Sequence, residues 1–489
     1  MESIDSLEKY SKEIQSINLP PPRFGHTVNI ISKKNVVLFG GAVNINNNKD
    51  SFIMTSDLYL FDMNQLSWKK LDSQIHPKAR GLHASVTVRD YQIFYYGGLT
   101  DKGQFSKDGL WSLKIRDDET PNWTEIITNE QTPGPRYGHS MAYMHNNIFL
   151  YGGSSISKDS NNHKKKVIMN DIWIFTVCTT NKWIKLNIEE NPLITARLYH
   201  TFCVYSKINR QNDVIILFGG RDSHNKPLND LFSLTRKGNN NNNNDNYIWE
   251  FQTSKNEHTP ISRYEHSATM LGPFLFIMGG KSTHTNYTTF EVFSFISNCW
   301  YCFGTCYLFR HTIWIYLDDS DSNDLKLSLY IYGGFDNKHN GELNSKLFSI
   351  NIFELFSGIP DLKNQLTNYL LLLKNYNIIN WKRIIDPSTH NNTIIEDNRD
   401  ENNSSDFSFL YNIIFKDKKD HKMMNMLEEK IITKDMIKME ETKKCIICLE
   451  DYVVGKHISY LPCCHSFHSL CINQWLYKSK QCPLCKTKV

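Results

Sequence analysis

The sequence lacks the features that would take a protein into or across a membrane. Its most apolar stretch, YLLLLK at 369–374, is far shorter than a membrane span of about 20 residues and is flanked by asparagine and lysine. The opening segment MESIDSLEKYSKEI is charged and has no apolar core of the kind that a secretory signal needs. We therefore expect no membrane partner and a location in the cytoplasm or the nucleus.

An excess of charge of either sign is also missing. The 489 residues include 55 Lys and Arg against 51 Asp and Glu, a net charge of +4. This balance is too even to favour a nucleic-acid partner through charge alone. The sequence also has no Gly-rich phosphate loop, no paired-carboxylate motif and no nucleophile elbow. We therefore expect no nucleic-acid partner and no catalytic side chain of these kinds.

Cysteine is sparse over most of the chain and concentrated at its end. Of 12 cysteines, five are scattered and seven fall within the last 45 residues. A secreted disulfide scaffold would not be distributed in this way. Without an export signal, the pattern favours a reducing compartment and a metal site.

Most of the sequence is one repeat. A pair of glycines follows a short apolar run six times, and the second glycines, at positions 41, 98, 153, 220, 280 and 334, are 54 to 67 residues apart. An Arg-x-x-His unit precedes five of the pairs, whereas Arg310 and His311 are adjacent in the sixth repeat. A short strand-like segment follows each pair, headed by Asp in four repeats but not in the fifth, EVFSF at 291–295. Each repeat ends near a tryptophan: Trp68, Trp123, Trp183, Trp249, Trp300 and Trp381.

The apolar runs are rich in β-branched and aromatic residues, too short for helices and stopped by glycine, so we predict strands, four to a repeat. Six such sheets can bury one another's faces when they are arranged radially. The four ordered landmarks resemble those of kelch-repeat proteins, and the resemblance implies a mainly β chain with a six-bladed kelch β-propeller over residues 10–385. Residues 10–18, with Tyr10, or the segment around Trp381 could close the ring, and the sequence does not choose between them.

Inserts interrupt the repeats where loops are expected. Residues 154–169 follow a glycine pair, and the asparagine tract at 237–246 is predicted to be disordered. The Leu-rich residues 355–380 suggest a helical insert on the rim of a blade.

The region 386–444 is predicted to be a polar linker, flexible up to about residue 420 and followed by a possible short amphipathic helix at 421–444. The helix would carry Leu427 and Ile431 on one face. Such a helix could dock on a neighbouring domain, or it could serve dimerisation or a partner.

The last residues, 445–489, contain a metal-binding pattern, C-x2-C-x14-C-x-H-x2-H-x2-C-x10-C-x2-C. Eight thiolate and imidazole ligands predict two tetrahedral, structural Zn²⁺ ions with no open position. Cys464 would be a ninth ligand and is therefore left out. The predicted ligands are Cys445, Cys448, Cys463, His465, His468, Cys471, Cys482 and Cys485.

This pattern resembles the RING finger of the two-histidine type, also in the sequences LPC, CINQWL and CPLCK around the ligands. A PHD finger would have cysteine in place of His465. The resemblance implies an interleaved arrangement. One ion would be held by Cys445, Cys448, His468 and Cys471, and the other by Cys463, His465, Cys482 and Cys485.

RING domains act as ubiquitin ligases by docking a ubiquitin-conjugating enzyme charged with ubiquitin. The family's docking positions correspond here to Ile447, Trp475 and Pro483, and Lys486 matches a position that contacts ubiquitin and the conjugating enzyme together. Ile447 and Trp475 could instead be small-core residues, and Lys486 could be a solvated lysine at the chain end.

Three other patterns imitate functional sites. The cysteines of CWYCFGTC, Cys299, Cys302 and Cys306, are interpreted as buried free thiols. The Arg-x-x-His units are interpreted as packing between blades. The run HKKK at 163–166 is interpreted as solvated charge.

The sequence thus predicts a RING-type E3 ubiquitin ligase whose propeller recognises a protein substrate. Its expected partners are a ubiquitin-conjugating enzyme, ubiquitin and that substrate. A non-catalytic kelch/RING scaffold is the alternative. A propeller enzyme with a copper-type set of Tyr, His and Cys is a third, weaker hypothesis.

Overall fold

The computed structural model describes most of the first 375 residues and parts of the C-terminal region. The described ranges are 7–31, 34–45, 48–128, 131–158, 164–177, 182–188, 191, 193–206, 213–237, 246–318, 326–375, 428–431, 444–447, 451–452, 457–461, 465–468, 471–472, 475, 479 and 481–484. The chain divides into two compact units, Met1–Asp386 and Pro387–Val489.

The first unit contains six four-stranded antiparallel sheets, which we number as blades in chain order. Blades 1 to 3 are each built from four strands of one repeat, taken in chain order. Their strands are Thr27–Ile31, Asn35–Phe39, Leu58–Asp62 and Ser67–Leu71 in blade 1, Ala84–Val88, Gln92–Tyr96, Leu110–Ile115 and Pro121–Ile126 in blade 2, and Ser140–Met144, Asn147–Tyr151, Ile172–Thr176 and Trp183–Lys185 in blade 3.

Blades 4 and 5 follow the same plan, but blade 6 takes its outer strand from the N-terminal region. Ser11–Ile14 pairs with Leu347–Asn351, with Ser11 opposite Ile350. The strands are Thr201–Tyr205, Val214–Phe218, Leu231–Lys237 and Asn246–Phe251 in blade 4, Ser267–Leu271, Phe274–Met278, Thr288–Ser294 and Cys299–Cys306 in blade 5, and Thr312–Asp318, Lys326–Tyr332, Leu347–Asn351 and Ser11–Ile14 in blade 6.

The innermost strands of successive blades contact one another, and those of blades 6 and 1 also touch, so the ring is closed. The prediction of a mainly β, six-bladed propeller is confirmed. The N-terminal segment closes it, while Trp381 lies outside the described residues.

The core of the propeller lies between the blades. In the second strand of blade 1, Val36 and Leu38 face a cluster shared with blade 6, whereas Val37 and Phe39 face one shared with blade 2. Successive side chains of a strand point to opposite faces, and both faces are covered here. This explains why the runs before each glycine pair are apolar throughout and not alternating.

The glycine pairs fit against the neighbouring blade. A Cβ on Gly40 would lie 2.7 Å from the carbonyl oxygen of Arg80, and Gly41 N–H donates to that same oxygen at 2.8 Å. Both glycines have positive φ, at +70° and +92°. The contact repeats around the ring and closes at Gly334 N–H, which donates to the carbonyl of Arg23 at 2.8 Å. Larger residues here would push adjacent blades apart.

The Arg-x-x-His units pack inside and between blades, as predicted. Each arginine side chain is fully buried and pairs with an acidic residue that lies just before the third strand of its blade or, for Glu291, within that strand. These pairs are Arg23–Asp57, Arg80–Asp108, Arg136–Asp171, Arg197–Asp230 and Arg263–Glu291. The histidines contact the preceding blade in the ring, as where His83 Nε2 lies 2.9 Å from Thr27 Oγ1.

Four small sheets pair the segment around an Arg-x-x-His unit, or its counterpart in the sixth repeat, with the segment that follows the glycine pair. They consist of Arg23–Phe24, Ala42–Ile45 and Asn48–Met54; Arg136–Tyr137, Ser154–Lys158 and Lys164–Ile168; Arg197–Leu198 with Arg221–Asp222; and Leu308–Phe309, Phe335–Asp336 and Glu342–Leu343. Part of the insert at 154–169 is therefore a hairpin. Lys164 and Lys165 are exposed, as expected for solvated charge. Residues 238–245 of the asparagine tract lie outside the described residues. Short 3₁₀ turns occur at Leu7–Lys9, Asp101–Gly103 and Asn337–His339.

Two helices follow blade 6, α1 (Ile352–Ser357) and α2 (Pro360–Asn375). The Asn351 side chain caps α1 by accepting from Phe353 N–H and Glu354 N–H. Phe356, Leu362 and Leu366 join the cluster between blades 5 and 6. The predicted helical insert is present and begins three residues earlier than expected. Neither helix of the described residues has the length and apolar character that crossing a bilayer requires.

The second unit contains a three-stranded antiparallel sheet, with Glu428–Ile431 and Ser466–His468 on either side of His457–Tyr460. The prediction of a helix at 421–444 is wrong for Glu428–Ile431. Leu427 and Ile431 are spaced as on a helix, but pairing with a strand some thirty residues later sets the local structure. The predicted linker at 386–427 lies outside the described residues.

Candidate metal centre

Three predicted zinc ligands converge in the second unit. The side chains of Cys445, His468 and Cys471 offer ligand atoms within 4.8 Å of one another. The backbones of Lys444 and Asp451 form an antiparallel bridge beside Cys445, while His468 ends the strand Ser466–His468. Two thiols and an imidazole at this separation fit a tetrahedral zinc site with one further ligand.

A second pair of ligands meets separately. His465 Nδ1 lies 3.6 Å from Cys482 Sγ, and Leu484 N–H points at the same sulfur at 3.4 Å. A backbone N–H directed at sulfur stabilises a thiolate, which is the form that binds metal. Ligands three residues apart, His465 and His468, therefore go to different groups. Cys448, Cys463, Cys485 and the excluded Cys464 lie outside the described residues.

Tyr452 supports the first group and was not predicted. Its side chain is buried, its hydroxyl donates to the carbonyl of Ser466 at 2.8 Å, and its ring packs edge-to-face on His468 at 5.1 Å between centroids. The contact restricts the orientation of the imidazole. The only signal in the sequence was an aromatic residue seven positions after Cys445.

The predicted docking residues surround a small apolar core. Ile447 and Trp475 are partly buried against a cluster that includes Ile458, Phe467 and Ile472. Trp475 Nε1–H donates to the carbonyl of Gln481 at 2.8 Å. Ile447 and Trp475 therefore contribute to the core and keep part of their surface accessible. Pro483 is also partly exposed, and Lys486 lies outside the described residues.

Two exposed apolar side chains adjoin these positions and were missed. Ile446 is 37% exposed and Leu484 is 49% exposed, each beside a predicted docking residue. Each is one of the two non-ligand residues between the cysteines of a C-x2-C pair. The sequence alone does not show which way the side chain of such a residue points. Exposed apolar groups on a small surface are typical of a protein contact.

A second candidate site lies where the six repeats meet around the ring axis. The residue before each histidine is Gly25, Leu82, Gly138, Tyr199, Glu265 or Arg310, and five backbone hydrogen bonds link these residues in order around the ring. All six have positive φ, although only two are glycine. Left-handed backbone at non-glycine residues costs free energy and is common at functional sites.

Cationic side chains lie against aromatic rings at this site. The Arg221 guanidinium is 5.9 Å from the Tyr199 ring and 5.1 Å from the Tyr264 ring. Arg310 lies 5.7 Å from the Tyr199 ring and pairs with the buried Glu265. Lys281 Nζ is 4.0 Å from the Phe309 ring, and burial lowers the pKa of Lys281. The three cations Arg221, Lys281 and Arg310 outnumber the one carboxylate, Glu265, among these groups. This excess of positive charge favours binding of an acidic ligand.

Comparison with known families agrees with both halves of the chain. Residues 25–209 and 161–343 match the family described as the KLHDC2/KLHL20/DRC7 Kelch-repeats domain. Residues 443–486 match the Ring finger domain.

Curated relatives share the kelch region at low identity. An F-box/kelch-repeat protein of Arabidopsis thaliana is 25% identical over 291 residues, which are 55% of this chain and 56% of the relative. The serine/threonine-protein phosphatase BSL2 of Arabidopsis thaliana is 26% identical over 46% of this chain and 20% of its own length. Human host cell factor 1 is 26% identical over 54% of this chain and 12% of its own length.

The chain therefore spans little more than half of the first of these relatives and a fifth or less of the others. The glycine pairs, the closed ring of blades and the family matches lead to the same result. The chain belongs to the kelch-repeat family and carries a zinc-binding RING finger at its C-terminal end.

Proposed function

We propose that the chain is a RING-type E3 ubiquitin ligase with its own substrate-recognition domain. The observation that carries the proposal is the convergence of Cys445, His468 and Cys471 apart from His465 and Cys482. This alternation of ligands along the chain supports the interleaved arrangement of a RING finger, and the module is attached to a propeller built for binding.

Two structural zinc ions would organise the module. Cys448 would complete the group of Cys445, His468 and Cys471, and Cys463 with Cys485 would complete that of His465 and Cys482. Four protein ligands leave a zinc ion no position for water or substrate, so neither ion would take part in a reaction. Metal binding would instead supply much of the folding free energy of so small a unit.

The apolar surface beside the metal groups would dock the conjugating enzyme. Ile447, Trp475 and Pro483 would provide its core, and the exposed Ile446 and Leu484 would extend it. Lys486 would contact ubiquitin and the enzyme together. As a point charge, lysine would hold them less firmly than a forked arginine, so we expect moderate activity.

The reaction would use groups from the partners. A substrate lysine amine attacks the thioester carbonyl between ubiquitin and the conjugating enzyme, an isopeptide bond forms, and the enzyme's thiolate leaves. The RING finger would hold the thioester in a reactive orientation, which lowers the entropic part of the barrier. A reducing compartment, the cytoplasm or the nucleus, would keep the ligand thiols available for zinc.

The propeller would select the substrate through the site at the ring axis. Arg221, Lys281 and Arg310 are held by packing on aromatic rings, so little side-chain entropy is lost when they bind. Their charge favours a protein segment with acidic side chains. Replacing Arg221 by glutamate should reduce capture of such a segment and leave ubiquitin transfer by the RING finger unchanged.

The test is a reconstituted ubiquitination assay with the full chain, activating enzyme, conjugating enzyme, ubiquitin and ATP. Wild-type chain should form ubiquitin conjugates, and Ile447→Ala combined with Leu484→Ala should lose most of the activity. Ile75→Ala is the matched control, because Ile75 is 65% exposed on the propeller. Zinc content, measured on every variant, separates lost docking from an unfolded module. Full activity in the double variant with intact zinc would refute the proposed docking surface.

A non-catalytic scaffold would behave differently in the same experiment. It would bind no ubiquitin-charged conjugating enzyme and would form no conjugates while retaining its zinc.

A further inference from the structure

Blade 5 brings together three potential metal ligands that are far apart in the sequence. His258, Glu291 and Cys302 offer ligand atoms within 4.8 Å of one another. Glu291 and Cys302 are cross-strand partners, so their side chains share one face of the sheet. His258 comes from the segment that enters the blade, and its Nε2 lies 2.9 Å from Glu291 Oε2.

Glu291 differs from the acidic residues of blades 3 and 4, which use both carboxylate oxygens on the arginine. In blade 3, Asp171 uses both carboxylate oxygens on Arg136, at 2.8 and 3.0 Å. Glu291 is one methylene longer and directs Oε1 to Arg263 at 3.0 Å, while Oε2 faces His258. The structural role of the acidic residue is therefore kept, and one oxygen is available for a second task.

The three side chains differ in burial in a way that suits a ligand site. Glu291 is fully buried, whereas the His258 side chain is 38% exposed and Cys302 is partly exposed. A cation from solvent can therefore reach the cluster on the side of His258. The prediction of buried free thiols in CWYCFGTC is confirmed for Cys306, whereas Cys299 and Cys302 are free but only partly buried.

We propose that His258 Nε2, Glu291 Oε2 and Cys302 Sγ form a binding site for a zinc-type transition-metal ion on the propeller. One thiolate, one imidazole and one carboxylate form a donor set that suits Zn²⁺ and disfavours Mg²⁺. On binding to neutral His258, Cys302 loses its thiol proton to solvent, and the imidazole proton moves from Nε2 to Nδ1. Arg263 remains on Oε1 and orients the carboxylate.

Three protein ligands leave room for a fourth from outside, so this site would be open, unlike the closed groups of the RING finger. Metal binding at this site would not require ligase activity.

The test is alkylation of the full chain by iodoacetamide, with each cysteine followed by peptide mass spectrometry. Micromolar Zn²⁺ should slow alkylation of Cys302 by about tenfold or more, because a metal-bound thiolate is a poor nucleophile. Cys299 lies on the same strand outside the cluster and should react at an unchanged rate. Mg²⁺ should protect neither cysteine.

His258→Ala should abolish the protection of Cys302, and the purified variant should contain one zinc ion fewer than the wild type. This variant is preferred to Glu291→Gln, which would disturb the buried Arg263. Equal alkylation of Cys302 with and without Zn²⁺, or protection that persists in His258→Ala, would overturn the proposal. Unchanged reactivity of Cys299 in the variant shows that the blade is folded.

Discussion

Six buried histidines should make the propeller sensitive to mild acid. The histidines of the repeats are only 4 to 7% exposed: His26, His83, His139, His200, His266 and His311. Burial lowers the pKa of His83, His200 and His311 to about 3, with nearby arginines adding to the effect at the first two. Burial also lowers the pKa of the other three well below the ordinary value of 6.5.

The sign and size of the effect follow from proton linkage. As the pH is lowered from 7.5 to 5.5, the unfolded chain takes up protons on these histidines and the folded chain does not. The folded state is therefore less stable at pH 5.5 than at pH 7.5. Each histidine whose pKa in the folded chain is near 3 lowers the free energy of unfolding by about 1.4 kcal/mol over this interval. Three such groups give about 4 kcal/mol, against a typical total stability of 5–15 kcal/mol, and the other three histidines act in the same direction. His258 acts in the opposite direction, because its hydrogen bond with Glu291 raises its pKa.

The assay is denaturant unfolding at the two pH values, followed by tryptophan fluorescence. Nine of the ten tryptophans precede residue 386, so the signal reports on the propeller. His200→Gln should reduce the loss of stability between the two pH values by about 1.4 kcal/mol, because the pKa of His200 in the folded chain is about 3. Ile75→Ala, at an exposed position, should leave the pH dependence unchanged. Equal stability at both pH values, or an unaltered slope in His200→Gln, would show that these histidines are not held neutral by burial.

Three further perturbations test the fold. Asp171→Asn should cost about 3–5 kcal/mol in denaturant unfolding, because it leaves Arg136 buried without its charge partner; a loss below about 1 kcal/mol would contradict this. Gly279→Ala should lower the free energy of unfolding by well over 1 kcal/mol, because the new Cβ would lie 2.1 Å from the Leu308 carbonyl oxygen. Gly341→Ala is the control. Gly341 also has a positive φ but has open space around it, so this change should cost only about 1 kcal/mol. Zinc removal by a chelator should abolish amide protection in the C-terminal sheet and leave that of the blades; protection that survives there would contradict structural zinc.

The repeat could be read from the sequence because its determinants are local. Gly40 and Gly41 mark the point where one blade meets the next. Arg80 lies 18 residues before the second glycine of the following pair, and this spacing is 17 or 18 residues in four of the five repeats that have an Arg-x-x-His unit. The glycine pair recurs six times and the Arg-x-x-His unit five times, so each repeat supports the assignment of the others. The substitution of Glu291 for the usual aspartate was visible in the same way, although its contact with His258 was not.

The remaining features depend on pairing between distant segments. Tyr10 and Trp381 resemble each other as strand markers, and only the pairing of Ser11 with Ile350 decides which segment completes blade 6. Glu428–Ile431 was misassigned because four residues are too few to show a strand period, and the partner at His457–Tyr460 lies beyond the window of a local pattern. The cluster of His258, Glu291 and Cys302 likewise exists only once the blade has formed.

The origin of blade 6 sets an order for folding during synthesis. Ser11 leaves the ribosome long before Ile350, its partner, and at translation speeds of about 5–20 residues per second the wait is roughly 20–70 seconds. Until then the exposed face of blade 1 has no neighbour, and a nascent chain with that face uncovered is a natural client for a chaperone. A stop codon between the end of blade 2 and residue 347 would leave an open arc of blades, with aggregation as its expected fate.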